Sequence, residues 1–414
     1  MTDRSANRAG RPASPVLARV ARGELCAGCG GCVLAAPGRI EMRMTPPGVL
    51  RPQQTAPLDP AQDERIARIC PGLGQRVSAQ GRRDHPLWGP YLDMQVGHAT
   101  DPALRHRASS GGGLSAVAAH LIETGAVDGV VQTGADPRVA VANVTRVSRD
   151  AEAVAAAAGS RYAPSAPLAG LGPLLEGEGR YAFVGKPCDV VALRALARED
   201  PRVAARFPVV LSFFCAGVPA QAGAEAVLAR LGADPDATVA FRYRGHGWPG
   251  RATARLADGT ERSMSYHDSW GRILSRHLQP RCKLCADGTG VEADLVFADA
   301  WESDANGYPL FEERDGQSLI VTRTEAGARL LEAARAAGRI ETRAFDPAGL
   351  AAIQTGQFNR RTALLARLAA LWLLRRPIPR YRGLRLGAAA RLGRPSALAR
   401  NFLGTLRRGI AGRL

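Results

Sequence analysis

Eight cysteines constrain this 414-residue chain more than any other feature, because five of them fall into two short, closely spaced groups. Cys282 and Cys285 are separated by two residues, in a loop followed by the apolar run 293–298. Two thiols at this spacing can bind one metal ion or one iron–sulfur cluster.

The N-terminus lacks the apolar block of a secretory signal, and no stretch is apolar enough to span a membrane. We therefore expect a cytoplasmic protein whose cysteines serve metal or redox chemistry instead of disulfides.

The N-terminal cysteines, Cys26, Cys29 and Cys32, have glycines between them, as in the loop of a bacterial ferredoxin. In such a loop the thiolates surround one cluster, and glycines let backbone N–H groups approach its sulfides. The ferredoxin pattern requires a fourth cysteine at position 36, where this chain has alanine, so Cys70 is the expected substitute. A zinc knuckle is the alternative, although three ligands on one turn suit a cluster better than tetrahedral zinc.

Apolar runs alternate with helical patterns through the middle of the chain. The runs 180–185 and 209–215 predict buried strands, each followed by a helix. This alternation predicts an α/β fold, with a mixed, largely parallel sheet and helices on its faces. Sites in such sheets gather at the C-terminal ends of the strands, where Cys188 and Cys215 fall. We expect both to join Cys282 and Cys285 in one four-thiol site; the alternative is that both are buried apolar cysteines.

A Ser/Gly loop precedes the helical pattern at 114–123, and its five residues are Ser109, Ser110, Gly111, Gly112 and Gly113. Hydroxyls and glycines at the start of a helix, with basic residues upstream, form a cradle for a phosphate group. The loop is neither a Walker loop nor a dinucleotide fingerprint, and an ordinary Ser/Gly helix cap is the alternative.

Further along, the sequence of residues 238–262 predicts a β-rich insertion. His246 lies in this insertion and either lines a pocket or belongs to a hairpin turn.

The net charge of +17 is concentrated in one segment. Fourteen arginines and no acidic residue lie between positions 347 and 414, which leaves the rest of the chain close to neutral. Within this tail the segment 363–374 is apolar but too short to span a bilayer. It is either a helix that packs on the body or on a partner, or a basic amphipathic segment on an anionic membrane surface.

The chain has no known nucleic-acid-binding motif, and few aromatic residues lie among its basic residues. We therefore do not expect nucleic acid as a partner.

Taken together, these motifs resemble the coenzyme F420 hydrogenase/dehydrogenase beta-subunit family, which also holds 7-hydroxymethyl chlorophyll a reductases and ferredoxin-type divinyl reductases. The resemblance extends from about Cys26 to about Ala337. The matching pieces are Cys-Ala-Gly-Cys-Gly-Gly-Cys at 26–32, Ser-Ser-Gly-Gly-Gly at 109–113, Gly-Ser-Arg-Tyr at 159–162, Phe-Val-Gly-Lys-Pro-Cys at 183–188, Phe-Cys-Ala-Gly-Val-Pro at 214–219, Arg-Cys-Lys-Leu-Cys at 281–285 and Ala-Asp-Ala-Trp at 298–301.

The resemblance implies one FAD and one or two 4Fe-4S clusters, and we expect two. It implies that the FAD diphosphate lies on the Ser/Gly loop and that Arg161 and Lys186 contact phosphate or flavin. Lys186 departs from the small residue that the family usually has there, and a charge near the ring alters the flavin potential. The implied ligands are Cys188, Cys215, Cys282 and Cys285 for the core cluster, and Cys26, Cys29, Cys32 and Cys70 for the ferredoxin-like cluster.

The organisation we expect has four parts. Residues 1–22 are disordered, 23–85 form the ferredoxin-like 4Fe-4S segment, 86–345 form the catalytic domain that binds FAD and a 4Fe-4S cluster, and 346–414 form a basic helical tail. The tail matches no element of the family.

The expected activity is that of an FAD-dependent iron–sulfur oxidoreductase. It passes electrons from ferredoxin or another electron-transfer protein through the clusters to FAD and on to a small-molecule substrate. Asp299, His246 and Tyr162 are the candidate proton donors. A non-catalytic electron-transfer subunit is the first alternative, and a zinc-stabilised scaffold with a membrane-binding tail is the second. A homo-oligomer and a peripheral position on the membrane are also expected possibilities.

Overall fold

The structure is a computed structural model that describes residues 14–300 and 313–412. The helices are α1 Pro15–Arg22, α2 Gly31–Ala35, α3 Pro60–Ile69, α4 Pro102–Arg107, α5 Gly113–Glu123, α6 Ala151–Ala156, α7 Gly172–Glu176, α8 Pro187–Ala197, α9 Pro201–Arg206, α10 Gln221–Leu231, α11 Pro280–Lys283, α12 Glu325–Ala336, α13 Leu350–Ile353, α14 Thr355–Leu373, α15 Leu386–Arg391 and α16 Pro395–Ile410. The strands are β1 Ile40–Thr45, β2 Val49–Gln54, β3 Gly74–Arg76, β4 Arg83–His85, β5 Gly89–Tyr91, β6 Asp93–Ala99, β7 Gly129–Ala135, β8 Asn143–Ser148, β9 Tyr181–Gly185, β10 Val209–Phe213, β11 Thr238–Arg242, β12 Arg251–Leu256, β13 Glu261–Ser265, β14 Leu295–Asp299, β15 Ser318–Thr322, β16 Ile340–Ala344 and β17 Arg380–Arg382.

The centre of the molecule is an eight-stranded sheet with the order β16-β6-β15-β14-β10-β9-β7-β8. The adjacent strands β14, β10, β9 and β7 pair in parallel, and β6 runs in the same direction as these four. The remaining strands, β8, β15 and β16, run the other way. This architecture confirms the predicted α/β class with a mixed, largely parallel sheet.

Both faces of the sheet are covered, which explains why its central strands are continuous apolar runs. Successive side chains of a strand point to opposite faces. In β9, Phe183 packs into one core, while Ala182 and Val184 pack into the other. Helices α2, α3 and α8 lie on the first face, and α5 and α12 lie on the second. The carboxyl ends of the parallel strands therefore meet at one edge of a rigid layer.

The predicted β-rich insertion is a three-stranded antiparallel sheet of β11, β12 and β13. It packs with α10 around a small core of its own that includes Phe241, Tyr243 and Leu274. A π-helical turn, His267–Ile273, follows β13. This turn brings aromatic side chains of the insertion over the edge of the main sheet.

The prediction that residues 1–22 are disordered is wrong for Pro15–Arg22, which form α1; residues 1–13 lie outside the described residues. Two local features favour the helix. The hydroxyl of Ser14 accepts a bond of 3.0 Å from the N–H of Leu17, and proline occupies the first helical position. Val20 then packs in a core with Leu25, and this burial holds the helix on the body.

The segment predicted as a basic tail is helical, but it is an integral part of the body. Its long helix α14 places Leu364, Leu368 and Leu371 in the same core as Val20. Arg361 is buried and donates hydrogen bonds to the carbonyls of residues 86, 286 and 384. Strand β17 pairs in parallel with β3, which directly follows the Cys70 segment. Within the described part of the chain, no helix combines the length and the apolar character needed to cross a membrane.

Candidate functional site

A cavity of about 310 Å³ lies at the carboxyl edge of the parallel strands, where sites of open α/β sheets are expected. Its walls come from the ends of β9, β10 and β14, the start of α5, the loop 157–163 and the insertion. The cavity brings together most of the residues that the sequence singled out. Those that line it are Ser109, Ser110, Gly112, Gly113, Arg161, Tyr162, Lys186, Cys215 and Asp299.

The Ser/Gly loop is held against the sheet by its own side chains. The hydroxyl of Ser110 donates to the carbonyl of Ala298 at 2.9 Å, and the hydroxyl of Ser109 accepts from the N–H of Ser160 at 2.6 Å. Gly111 has a φ of +69°, and a Cβ there would lie 2.9 Å from the carbonyl oxygen of Gly316. The two hydroxyls are therefore occupied by the protein, and glycine is required for the close approach of the loop.

The start of α5 is the part of this loop that remains open to a ligand. Gly112 precedes the helix in the left-handed conformation and has no side chain of its own to cap the first turn. The amide of Gly113 donates to Ser318 at 3.3 Å, while Leu114 and Ser115 line the cavity. Since the first N–H groups of a helix have no partner within it, the cavity faces a positive helix end.

Arg161 lines the cavity, but its hydrogen bonds go to the protein. Its Nε donates to Asn143 at 2.9 Å, and its two terminal nitrogens donate to the carbonyls of residues 140, 142 and 241. The guanidinium also lies 5.1 Å from the ring centre of Tyr243. Burial lowers the pKa of Arg161. We expected Arg161 to contact a phosphate or the flavin. In the structure its hydrogen bonds instead join residues 140–143 to the insertion.

Asp299, a candidate proton donor, forms a bidentate ion pair with Arg244, which the sequence analysis missed. The two nitrogen–oxygen distances are 2.7 and 2.8 Å, and the indole N–H of Trp248 lies 3.3 Å from the same carboxylate. Arg244 is buried, and Asp299 raises its pKa against the effect of that burial. A carboxylate that accepts three N–H bonds is suited to anchoring the insertion and not to donating a proton.

An aromatic wall covers the opposite side of the cavity. Tyr162 packs against Trp270 with ring centres 4.6 Å apart, and its hydroxyl is hydrogen-bonded to that of Tyr266. The guanidinium of Arg244 lies 4.8 Å from the ring centre of Tyr266. Burial raises the pKa of Tyr266 well above its ordinary value, so this phenol keeps its proton. Only the aromatic pattern of residues 266–270 could have indicated the role of Tyr266 and Trp270 from sequence.

His246, the remaining candidate proton donor, is not part of this cavity. It is exposed in the loop between β11 and β12, with a φ of +56° and its ring centre 5.7 Å from that of His106. The hairpin alternative describes this residue better than the pocket interpretation.

The four cysteines expected at the core site are brought together beside the cavity. Cys188 interacts electrostatically with Cys215 and Cys285, and Cys215 interacts with Cys282 and Cys285. Burial and neighbouring thiols raise the pKa of Cys188 and that of Cys215, the latter to about 12. Backbone amides oppose the shift: the N–H of Val218 donates to the sulfur of Cys282 at 3.3 Å.

The N-terminal cysteines form a second set of four. Cys29 and Cys32 both interact electrostatically with Cys70, and Cys70 interacts with Cys26. Burial raises the pKa of Cys70 to about 11, while the amides of residues 72 and 73 favour its thiolate. Cys70 thus lies with the three cysteines of the loop. Position 36, where the ferredoxin pattern has cysteine, holds a fully buried alanine.

Lys186 is buried between the cavity and the core thiol set. Its ammonium group lies 2.7 Å from Asp189 and 2.9 Å from the hydroxyl of Ser165. Burial disfavours the charge, but Asp189 raises the pKa of Lys186 above its ordinary value. One oxygen of Asp189 has no hydrogen-bond partner in the structure, and Asp189 also interacts with Cys29 of the other set.

Arg281 is a second buried cation, and it lies next to both sets of thiols. It interacts electrostatically with Cys26 and Cys70 on one side and with the core cysteines on the other. One of its nitrogens donates to the carbonyl of Pro71 at 2.7 Å, Nε and Nη1 have no hydrogen-bond partner, and the guanidinium lies 5.9 Å from the ring centre of Tyr381. The position of Arg281, directly before the Cys-x-x-Cys loop, could have indicated from sequence that a cation lies beside the thiols.

These observations fit iron–sulfur clusters as occupants of the two thiol sets. Each set supplies four sulfurs, backbone amides aimed at them, and a shared guanidinium with buried, unpartnered N–H groups that suit acceptor sulfides. In residues 14–300 and 313–412, no group of three or more His, Cys, Asp or Glu side chains is arranged to hold a metal ion.

Comparison with known proteins agrees with this geometry. Two family models of the coenzyme F420 hydrogenase/dehydrogenase beta subunit match the chain. The model of the N-terminal part matches residues 94–171, and the model of the C-terminal part matches residues 178–348. Together the two models match more than half of the chain.

Two curated relatives and one solved structure are similar to this chain. The F420-dependent formate dehydrogenase 1 subunit beta of Methanococcus maripaludis is 25% identical over 261 residues, which cover 62% of this chain and 63% of that protein. The coenzyme F420 hydrogenase subunit beta of Methanococcus voltae is 26% identical over 268 residues, which cover 63% of this chain and 86% of that protein. A chain of the F420-reducing NiFe hydrogenase complex of Methanosarcina barkeri has the same fold, with a TM-score of 0.53 and 19% identity over 67% of this chain and 91% of that chain.

Proposed function

The chain belongs to the coenzyme F420 hydrogenase/dehydrogenase beta-subunit family, a redox family, and on that premise we propose that it is an iron–sulfur flavoprotein oxidoreductase. In this proposal it holds two 4Fe-4S clusters and one FAD, exchanges electrons with ferredoxin or a partner protein, and reduces a small-molecule substrate. One observation carries the proposal: the cavity reaches Cys215 of the core thiol set, and Arg281 connects that set to the N-terminal one.

Each part of the cavity has a role in this proposal. The positive end of α5 binds the diphosphate of FAD, and Lys186 fixes a positive charge between that cofactor and the core thiols. When bound, FAD supplies the coupling between one-electron steps and two-electron chemistry on the substrate. Arg244 and Asp299 hold the insertion over the cavity, and this arrangement excludes water from the reacting groups.

Tyr162 is the proton donor that the geometry favours among the three candidates. Its phenol lines the cavity and is hydrogen-bonded to Tyr266. His246 is exposed outside the cavity, and Asp299 is engaged by Arg244. A proton donor must reach the substrate, and this requirement selects Tyr162 before any argument from acidity.

The first test is the cofactor content of the full chain, purified without oxygen. We expect about eight irons, matching acid-labile sulfide and one released FAD per chain. Cys282→Ala should lose about four irons and keep the N-terminal cluster, and Cys29→Ala should lose the other four. A matched Ala36→Cys variant should leave the iron content unchanged, because Cys70 already completes that set. A colourless protein with bound zinc would refute the redox proposal.

A non-catalytic electron-transfer subunit is the second candidate, and the names of the relatives favour it. Both curated relatives are named as beta subunits of larger enzymes. In this case the chain exchanges electrons with a partner protein and a carrier without a substrate of its own. Assays with F420 and with reduced ferredoxin distinguish the two: turnover by the isolated chain supports the enzyme, and turnover only after addition of a co-purified partner supports the electron-transfer role.

A further inference from the structure

A second cavity, of about 680 Å³, lies between the C-terminal helices and the loop that carries Cys282. It shares no lining residue with the cavity assigned above to FAD. Much of its wall comes from α14 and α16, which lie beyond the residues that the family models match. Neither the proposed cofactors nor the proposed substrate accounts for this cavity.

The wall of the second cavity is strongly basic. Five cationic side chains line it: Lys283, Arg360, Arg367, Arg400 and Arg408. Within the described residues, none of the five forms a salt bridge with a carboxylate. Glu24 is the acidic residue of the lining, and it pairs with Arg376 at 3.4 Å. Glu24 also interacts with Lys283, and Arg360 interacts with Cys215 and Cys282, which leaves Arg367, Arg400 and Arg408 as the cations of the wall that have no negative neighbour among the described residues.

The cations are close enough to act on one another. Burial lowers the pKa of Arg367, and Arg360 and Arg408 lower it further. The hydrogen bonds of Arg367 go to neutral acceptors, the side chain of Asn401 at 2.9 Å and the carbonyl of Lys283 at 3.0 Å. Crowded like charges destabilise the empty cavity, and a bound anion would remove that repulsion.

From this arrangement we propose that the second cavity binds a small polyanion that carries phosphate or carboxylate groups. Its volume is in the range of small-molecule sites, and guanidinium groups form paired hydrogen bonds with both kinds of anion. Cys282 lines the same cavity, so the occupant lies next to the core thiol set. The site is thus placed to make the redox protein respond to an anionic metabolite.

The test is isothermal titration calorimetry on the full chain with the cofactors it retains, using inorganic pyrophosphate, ADP and citrate in separate titrations. The variant Arg400→Gln/Arg408→Gln removes two charges from the cavity wall. The control Arg394→Gln/Arg407→Gln removes two charges from the same part of the chain, outside the cavity lining. We expect the first pair to weaken binding about tenfold or more and the second pair to change it less than about twofold.

The three probes separate the sources of the anion. Tighter binding of ADP than of pyrophosphate assigns the cavity to a nucleotide, equal binding assigns it to a diphosphate group alone, and binding of citrate only assigns it to a polycarboxylate. Absence of binding by all three probes, or equal weakening by the two variant pairs, overturns the proposal. If the first pair fails to fold, the single variant Arg400→Gln, at an exposed position, gives the same comparison with Arg407→Gln. Iron and flavin content, measured on the same samples, tests the proposed redox function separately.

Discussion

At the scale of single residues, buried cations are the feature that most distinguishes the surroundings of the thiols. Lys186 has an acidic partner, Asp189, whereas Arg281 contacts a backbone carbonyl and leaves two nitrogens unpartnered. A buried charge without a partner is costly, so such a residue is retained only where another group compensates it. The thiols of both sets, in their metal-bound anionic form, would supply that compensation for Arg281.

Replacement of Arg281 should therefore change the potentials of both clusters. We expect Arg281→Gln to lower both reduction potentials by an amount on the order of tens of millivolts, because loss of a nearby positive charge disfavours the reduced, more negative cluster. Redox titration followed by electron paramagnetic resonance measures the two signals separately. Arg281→Lys, which keeps the charge, and Arg272→Gln, which removes an exposed charge, are the controls. A change in one cluster alone would contradict the placement of Arg281 between the sets.

The proton-transfer assignment is also a prediction about one residue. Tyr162→Phe should lower kcat by about a hundredfold while bound flavin stays at the wild-type level, because only the hydroxyl is lost. His246→Gln should leave kcat unchanged, since that side chain is exposed outside the cavity. Steady-state kinetics with quantified flavin checks both. An equal loss of activity in the two variants would speak against Tyr162.

Sequence could identify residues whose role depends on their own neighbours in the chain. The grouping of Cys188 and Cys215 with Cys282 and Cys285 followed from strand ends, and in the structure Cys188 and Cys215 each interact electrostatically with Cys285. Arg161 and Arg361 are different, because their acceptors are carbonyl oxygens contributed by distant segments. Every residue has a backbone carbonyl, so the amino-acid sequence does not reveal which carbonyl will accept a hydrogen bond. From sequence alone these arginines therefore looked like ligand-binding residues or surface charges.

At the scale of elements, α16 carries the remaining evidence for contact with a membrane. Leu403, Arg407 and Ile410 are exposed at spacings of three and four residues, which places them on one face of the helix. This face combines an arginine with apolar side chains, whereas Arg361 of α14 is used inside the body.

We expect the protein to sediment with vesicles that contain anionic lipid and to be released at high salt, because both charge and apolar burial contribute. Leu403→Ser/Ile410→Ser should reduce binding. Val239→Ser, a change at an exposed apolar position on β11, should not. Equal sedimentation with neutral vesicles would show that the arginines are irrelevant and would contradict the prediction.

The sequence indicated which segments form the parallel strands at the centre of the sheet. It did not indicate which segments form the antiparallel strands beside them. The strands β9, β10 and β14 are continuous apolar runs because both faces of the sheet are covered. The pairing of β6 with β15 and β16 joins segments far apart in sequence, and nothing local specifies such antiparallel partners. The structure alone showed that these strands extend the sheet beyond its parallel centre.

At the scale of the whole molecule, the long helix α14 near the C-terminus forms part of the core. Leu364, Leu368 and Leu371 are buried in one core with Leu25 and Leu284. Burial of each leucine contributes roughly 1.5–3 kcal/mol, so the loss of three approaches the total stability of a typical domain.

Deletion of residues 347–414 should therefore give an insoluble or unfolded chain. Deletion of residues 395–414, which removes α16 and exposes less of the core, should leave a folded protein with a lower affinity for polyanions. Circular dichroism and urea unfolding distinguish these two results. Light scattering on the intact chain would separately report its oligomeric state. A stable, folded product of the longer deletion would show that the C-terminal segment is a separate domain.

The pairing of β3 with β17 also sets an order of assembly during biosynthesis. β3 follows the segment of Cys70, and the backbone of Arg380 donates to the carbonyl of Leu73 at 2.8 Å. The ribosome produces β17 long after it has produced Cys70. We therefore expect the N-terminal thiols to reach their final arrangement only after translation of the C-terminal segment. If this set holds the cluster proposed above, iron and sulfide would reach their final site only after the whole chain has been made.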